Sequence, residues 1–152
     1  MNTLLGLGDG GVVRVALQKQ IPDRPWYLEV LDESDPERKL RLVAHHSVAV
    51  NQRIGPLLRV ICSAAVVDAD GAALWALIQT DFHSNQRVIV GSLVATGRLR
   101  QDVDVDRATD ILWTLDHPDV WLLLAGERGW TPEAFETWFA DTAIAQLLDR
   151  PA

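Results

Sequence analysis

The chain has 152 residues, 48% of them hydrophobic, and a formal net charge of −7. That size and apolar share suffice for one domain with a real core, and the acidic surface argues against nucleic acid or anionic lipid as a direct partner. Cys62 is the single cysteine, and neither a basic-then-apolar leader nor a bilayer-length apolar run is present, so the expectation is a cytoplasmic protein without disulfide or membrane span.

Apolar residues recur at three and four rather than at two, and no Asn-Gly or Asp-Gly joins β-branched runs. The expected fold is therefore all-α, a helical bundle of five to six main helices. After the glycine-rich "LLGLGDGG", a helix is expected from about Val12 to Gln20, stopping before Pro22 and Pro25; "PDRPW" reads as a turn. "SDPERKL" opens the next helix, with Ser34 or Asp35 as N-cap, Pro36 in the first turn and Glu37 beside the positive end of the dipole. It runs to Ile54, where Gly55-Pro56 either kinks it or splits off a short helix ending near Val67. Asp68 or Asp70 caps a long helix that ends at Gly97, where a left-handed residue is expected. Asp104 or Asp106 caps the following one, Pro118 interrupts it, and Thr131-Pro132-Glu133 starts the terminal helix.

The motifs that suggest chemistry lack the context it needs. Gly6, Gly8 and Gly11 match G-x-G-x-x-G, but no strand precedes them and no βαβ unit surrounds them. Asp102, Asp104, Asp106 and Asp110 resemble the start of a calcium loop, yet Arg107 stands where the glycine belongs and Trp113 where the bidentate acid belongs. His45 and His46 point about 100° apart on a helix, too far to share a metal as an i, i+4 pair does. His83 and His117 are isolated in sequence, and nothing in the spacing of Ser47, Asp81 and His83 favours a nucleophile–base–orienter set. No catalytic residue, metal or cofactor is expected.

Polar interruptions of apolar stripes are more informative. Turning about 100° per residue from Leu40 groups Val43, Ala44, Ser47, Val50, Asn51 and Ile54 on one face. The next long helix groups Leu74, Ile78, Phe82, Asn85, Ile89 and Ser92, with Asp81 and Trp75 at the margins. Buried polar groups must be paired. Either these pair with one another across two packed helices, or they line an apolar cavity with a few convergent polar groups, the usual make-up of a small-molecule site. Ser47, Asn51, Asp81, Phe82, Asn85 and Trp113 are the pocket residues this expectation selects.

The last helix, "TPEAFETWFADTA", carries Phe135, Trp138 and Phe139 close behind Trp130, in a chain with six Trp and three Phe. Burying each ring is worth at most ~4–6 kcal/mol. Such a helix, apolar on more than one side, calls for two partners: its own core and, across a two-fold axis, a second copy. Ile111, Leu115, Phe135, Trp138, Phe139 and Thr142 are the expected homodimer contacts, with Phe135, Trp138 and Phe139 as dimer or core anchors.

"GRLRQDVDVDRATDILWTLDHPDVWLLLAGERGWTPEAFETWFADTAIAQLL", Gly97 to Leu148, resembles the C-terminal half of TetR-type transcriptional regulators in its Arg-Leu-Arg-x-Asp-x-Asp lead-in, its "ILWTL" helix, the proline-marked break and "ERGWTPEAFETWFADT". The resemblance implies a dimer through the last two helices and a pocket for a small hydrophobic effector. It also implies effector binding coupled negatively to operator DNA. The family's N-terminal helix-turn-helix has no counterpart here. Residues 1–24 are then a residual connecting helix and linker, and residues 25–152 the effector-binding and dimerisation domain. DNA enters only if a helix-turn-helix is supplied from elsewhere. The rival expectations are a ligand-free helical protein forming mixed dimers with full-length regulators, and a small enzyme using His45, His46 or His83.

Overall fold

The computed structural model describes residues 24–149. Among them there are six α-helices, one π-helical segment and no strand: α1 (Pro25–Asp32), α2 (Pro36–Ala65), α3 (Ala69–Val94), α4 (Val105–Leu115), α5 (Pro118–Trp121), the π-segment Leu122–Glu127, and α6 (Pro132–Leu147). The all-α bundle is as the periodicity predicts. The expected helix over Val12–Gln20 lies outside the described residues.

The helix starts follow from side-chain capping. Asp35, Asp68, Asp104 and Thr131 have extended backbone and accept from the amides of Arg38, Gly71, Arg107 and Ala134, satisfying donors that the first helical turn leaves unpaired. Helix α1 was not expected, because "PDRPW" reads as a turn. Pro25 instead occupies the first helical turn, where its fixed φ suits a helix and its missing N–H costs nothing. At the other end of α1, Lys39 reaches back from α2, its Nζ donating to the carbonyls of Val30 at 2.8 Å and Leu31 at 2.9 Å.

Helix α2 runs unbroken through Pro56, so no separate short helix forms. The proline removes the hydrogen bond to the Gln52 carbonyl, but Gln52 is exposed and water can take its place. Helix α3 ends at Val94, three residues before the sequence suggests, and Gly97 takes φ +70° in the turn that follows. After the π-segment, Gly129 takes φ +72° and the amide of Trp130 returns to the Leu124 carbonyl at 2.9 Å.

Helix α2 packs against both α3 and α6, and α3 packs against α4. Val30, Leu40, Val90, Leu112, Phe139 and Leu147 are among the fully buried members of the core that results. Leu99 and Leu148 form an antiparallel bridge that ties the loop after α3 to the end of α6. Basic side chains along the chain are absorbed by the fold. Arg38 pairs with Glu33, Arg41 with Asp141 and Arg100 with Asp102, while Lys39 is buried.

Candidate ligand cavity

A cavity of about 100 Å³ lies among α1, α2 and α3 and is closed by the turn between α4 and α5. Each helix contributes what its periodicity dictates. Val43, Ser47, Val50, Asn51 and Ile54 come from one face of α2, and Ile78, Asp81, Phe82, Asn85 and Ile89 from one face of α3. Ser47, Asn51, Asp81, Phe82 and Asn85 thus all line this cavity.

Trp113 does not line the cavity. From α4 it stacks edge-on against His117 at 5.0 Å and against His83 at 5.9 Å. No residue of α4 reaches the lining, which the turn after it closes instead.

The polar members form a connected network. Asn51 Nδ2 donates to the Ser47 carbonyl at 3.0 Å and to its Oγ at 3.2 Å. The Ser47 hydroxyl donates in turn to the carboxylate of Asp116. Gln86 Nε2 donates to the same carboxylate at 2.7 Å. Burial pushes the Asp116 carboxyl up to about 7, against these two hydrogen bonds, which favour the charged form. The Gln86 amide oxygen is buried and has no hydrogen-bond partner. On the α1 side, Tyr27 donates its hydroxyl to the Asn85 carbonyl at 3.0 Å, and burial raises its phenol to about 12.

Leu58 extends the α2 face, and Trp26, Tyr27, Gln79, Gln86, Asp116 and Pro118 complete the lining beyond the residues the sequence selects. Trp26 and Tyr27 were hidden by reading their segment as a turn. Gln86 is one helical step from Asn85 and falls inside the wider face once two neighbouring helices share it. Asp116 is the C-cap of α4, outside any helical period, so no sequence pattern marks it.

The remaining residues that suggested chemistry are engaged elsewhere. His83 pairs with Asp110 at 2.8 Å, His45 with Glu136 at 3.1 Å and His46 with Glu29 at 3.0 Å. Ser47 is tied to Asn51 and Asp116, so Ser47, Asp81 and His83 do not assemble into a relay. His117 caps α5: Nδ1 accepts from the Asp119 amide at 3.2 Å and Nε2 donates to Gln79 Oε1 at 3.1 Å. Burial lowers its pKa, which suits this neutral tautomer. The aspartate run is likewise accounted for, with Asp104 capping α4 and Asp102, Asp106 and Asp110 paired to Arg100, Arg87 and His83. Among the described residues no group of three or more His, Cys, Asp or Glu is placed to hold a metal ion, and no helix is long and apolar enough to cross a membrane.

The expected dimer contacts divide. Phe135 and Phe139 are fully buried within the single chain and Leu115 is 8% exposed, so the two phenylalanines serve as anchors of the chain's own core. Their partners are internal, with Trp121 edge-on to Phe135 at 5.0 Å and Phe135 against Phe139 at 6.2 Å. Ile111, Trp138 and Thr142 keep part of their surface open. Trp138 meets Trp130 edge-on at 5.9 Å, beside a shallow depression formed with Glu133, Ala134 and Thr137.

Comparison of the chain with protein-family models, with curated proteins and with solved structures finds no match.

Proposed function

We propose that the protein is a sensor domain of the TetR type, a transcriptional regulator's effector-binding and dimerisation module that takes a small hydrophobic molecule between α1, α2 and α3. The observation that carries this reading is the cavity itself, where apolar walls from three helices surround the Asn51, Ser47, Asp116 and Gln86 network. Apolar bulk with a few fixed polar groups is what a small-ligand site needs for affinity and orientation together. The resemblance of Gly97 to Leu148 to TetR-type regulators supports the same reading from the sequence.

For the second half of the proposal, Ile111, Trp138 and Thr142, together with Trp130, are the open surface through which a second copy would pair. A two-fold contact centred on Trp138 would bury a tryptophan face on each side.

The test is a thermal-shift and native mass spectrometry screen with small apolar molecules on the unmodified chain and on Ile78→Trp, whose larger ring fills the cavity. Ligands that raise the melting temperature of the first and not of the second support the reading. A panel that shifts neither, with no small molecule co-purifying, overturns it. Light scattering tests the dimer: Trp138→Asp should give monomers, and an unchanged dimer would refute the assigned surface.

A further inference from the structure

The cavity's charged groups are of one sign, while the buried Trp26 Nε1–H adds a donor without an acceptor. Its lining includes the carboxylates of Asp81 and Asp116 and no Lys, Arg or His. The Asp116 carboxylate receives two hydrogen bonds, from Ser47 and Gln86, and has lone pairs to spare. Beside it, Gln86 is only 4% exposed and its amide oxygen is an acceptor with nothing to accept from. An orphaned buried acceptor costs free energy until a donor arrives. Trp26, Tyr27 and Phe82 add aromatic rings to the lining. The Lys39 ammonium is committed to the carbonyls at the end of α1.

From this we infer that the cavity is selective for a small lipophilic cation, an aromatic or aliphatic ammonium whose N–H groups reach Asp116 and the Gln86 oxygen while its apolar part lies against the three rings. The inference rests on the effector-binding reading above and names the ligand class. A neutral ligand would leave the carboxylate uncompensated, and an acidic one would face acceptors of its own sign.

The acid–base state of the wall fits this occupant. Asp116, pushed up to about 7, sits near half-ionisation at neutral pH. A cation close by supplies the missing countercharge, lowers that pKa and expels the proton, so cation binding strengthens as pH rises. The other groups sharing the cavity or adjoining Asp116 do not mimic this. The Tyr27 phenol is raised to about 12, and burial lowers the pKa of His117 below the ordinary imidazole value. Ser47 and Gln86 do not titrate, and Asp81 is the other carboxyl on the lining.

The experiment is calorimetric titration of the full chain with three probes of one shape: 2-phenylethylammonium, 2-phenylethanol and phenylacetate. At about pH 8 the ammonium should bind at least about tenfold more tightly than the alcohol, and phenylacetate should not bind measurably. Between about pH 6 and about pH 8 the ammonium affinity should rise about tenfold, following ionisation of a group with a pKa near 7, while the alcohol's stays flat. In Asp116→Asn the ratio of ammonium to alcohol affinity should fall to about one. Should that variant fail to fold, the pH dependence of the unmodified protein carries the test by itself. Alcohol or phenylacetate binding as tightly as the ammonium would overturn the cation assignment and leave the effector-binding reading standing. Failure of all three probes to bind would overturn the assignment together with that reading.

Discussion

Lys39 is the buried side chain on which the cavity's outer wall depends. It is 1% exposed, and its ammonium occupies the carbonyls of Val30 and Leu31 at the C-terminal end of α1. Those carbonyls belong to the last turn of the helix and have no helical donor, and the negative end of the helix dipole adds to the attraction. Burial lowers the Lys39 pKa, and the nearby Glu33 and Asp32 carboxylates counter part of that effect. Lys39→Met keeps the length and volume of the stem and removes the charge and both donors. Hydrogen bonds from a charged donor contribute about 1.5–3 kcal/mol each, and relief of ammonium desolvation returns part of the sum, leaving a net loss of about 2–3 kcal/mol. For a chain of this length that lowers the melting temperature by about 5–10 °C. Circular dichroism melts and urea titration read the change, and hydrogen exchange on the α1 amides localises it. A variant that melts within about 2 °C of the parent, or above it, would refute the argument that the lysine holds α1 in place. Because Trp26 and Tyr27 ride on α1, the same substitution should also weaken binding of any cavity ligand.

Asp116 makes stability depend on pH. Its folded pKa, near 7, lies above the ordinary value of 3.8, so its contribution is full below about pH 4 and is lost as pH rises through about 7. Asp116→Asn removes that dependence. Relative to the parent, the variant should gain stability steadily between about pH 4 and about pH 8, by at most about 4 kcal/mol, and parallel pH profiles from urea titration would contradict the assignment. Two helical glycines should respond in opposite senses. A Cβ at Gly71 would meet the Ala64 backbone at 3.0 Å, so Gly71→Ala should cost about 1–3 kcal/mol, whereas Gly91 has nothing within 4 Å and Gly91→Ala should stabilise by about 0.5–1 kcal/mol. Equal signs in thermal melts would show that the close approach between the end of α2 and the start of α3 is not rigid. Phe139→Ala should destabilise by about 3–5 kcal/mol as a core substitution; a loss of dimer with unchanged chemical stability would instead return Phe139 to the interface.

Much of this architecture is legible because capping and periodicity are local. Asp35, Asp68, Asp104 and Thr131 announce their helices within four residues, and one turn-by-turn projection brings Ser47 and Asn51 onto the wall that Phe82 and Asn85 also form. What the sequence hides depends on contacts between distant elements. Pro25 begins a helix whose C-terminal carbonyls are satisfied by a lysine on the next one, so the local pattern alone reads as a turn. An apolar helix with two faces says that two neighbours are needed, and not which of them is the chain's own core. For Phe135 and Phe139 both needs are met internally, and only the flank carrying Trp138 stays open.

Asp116 is the most consequential case. As a C-cap residue it belongs to no stripe, and a lone aspartate beside a histidine and a proline reads as turn chemistry. Folding brings it against Ser47, Gln86 and the cavity, where desolvation and an unused acceptor on Gln86 make it the residue that sets the sign of the site. The apolar character of the cavity is written in the periods of α2 and α3. Its charge preference is written in a single loop position, which the fold carries to their junction.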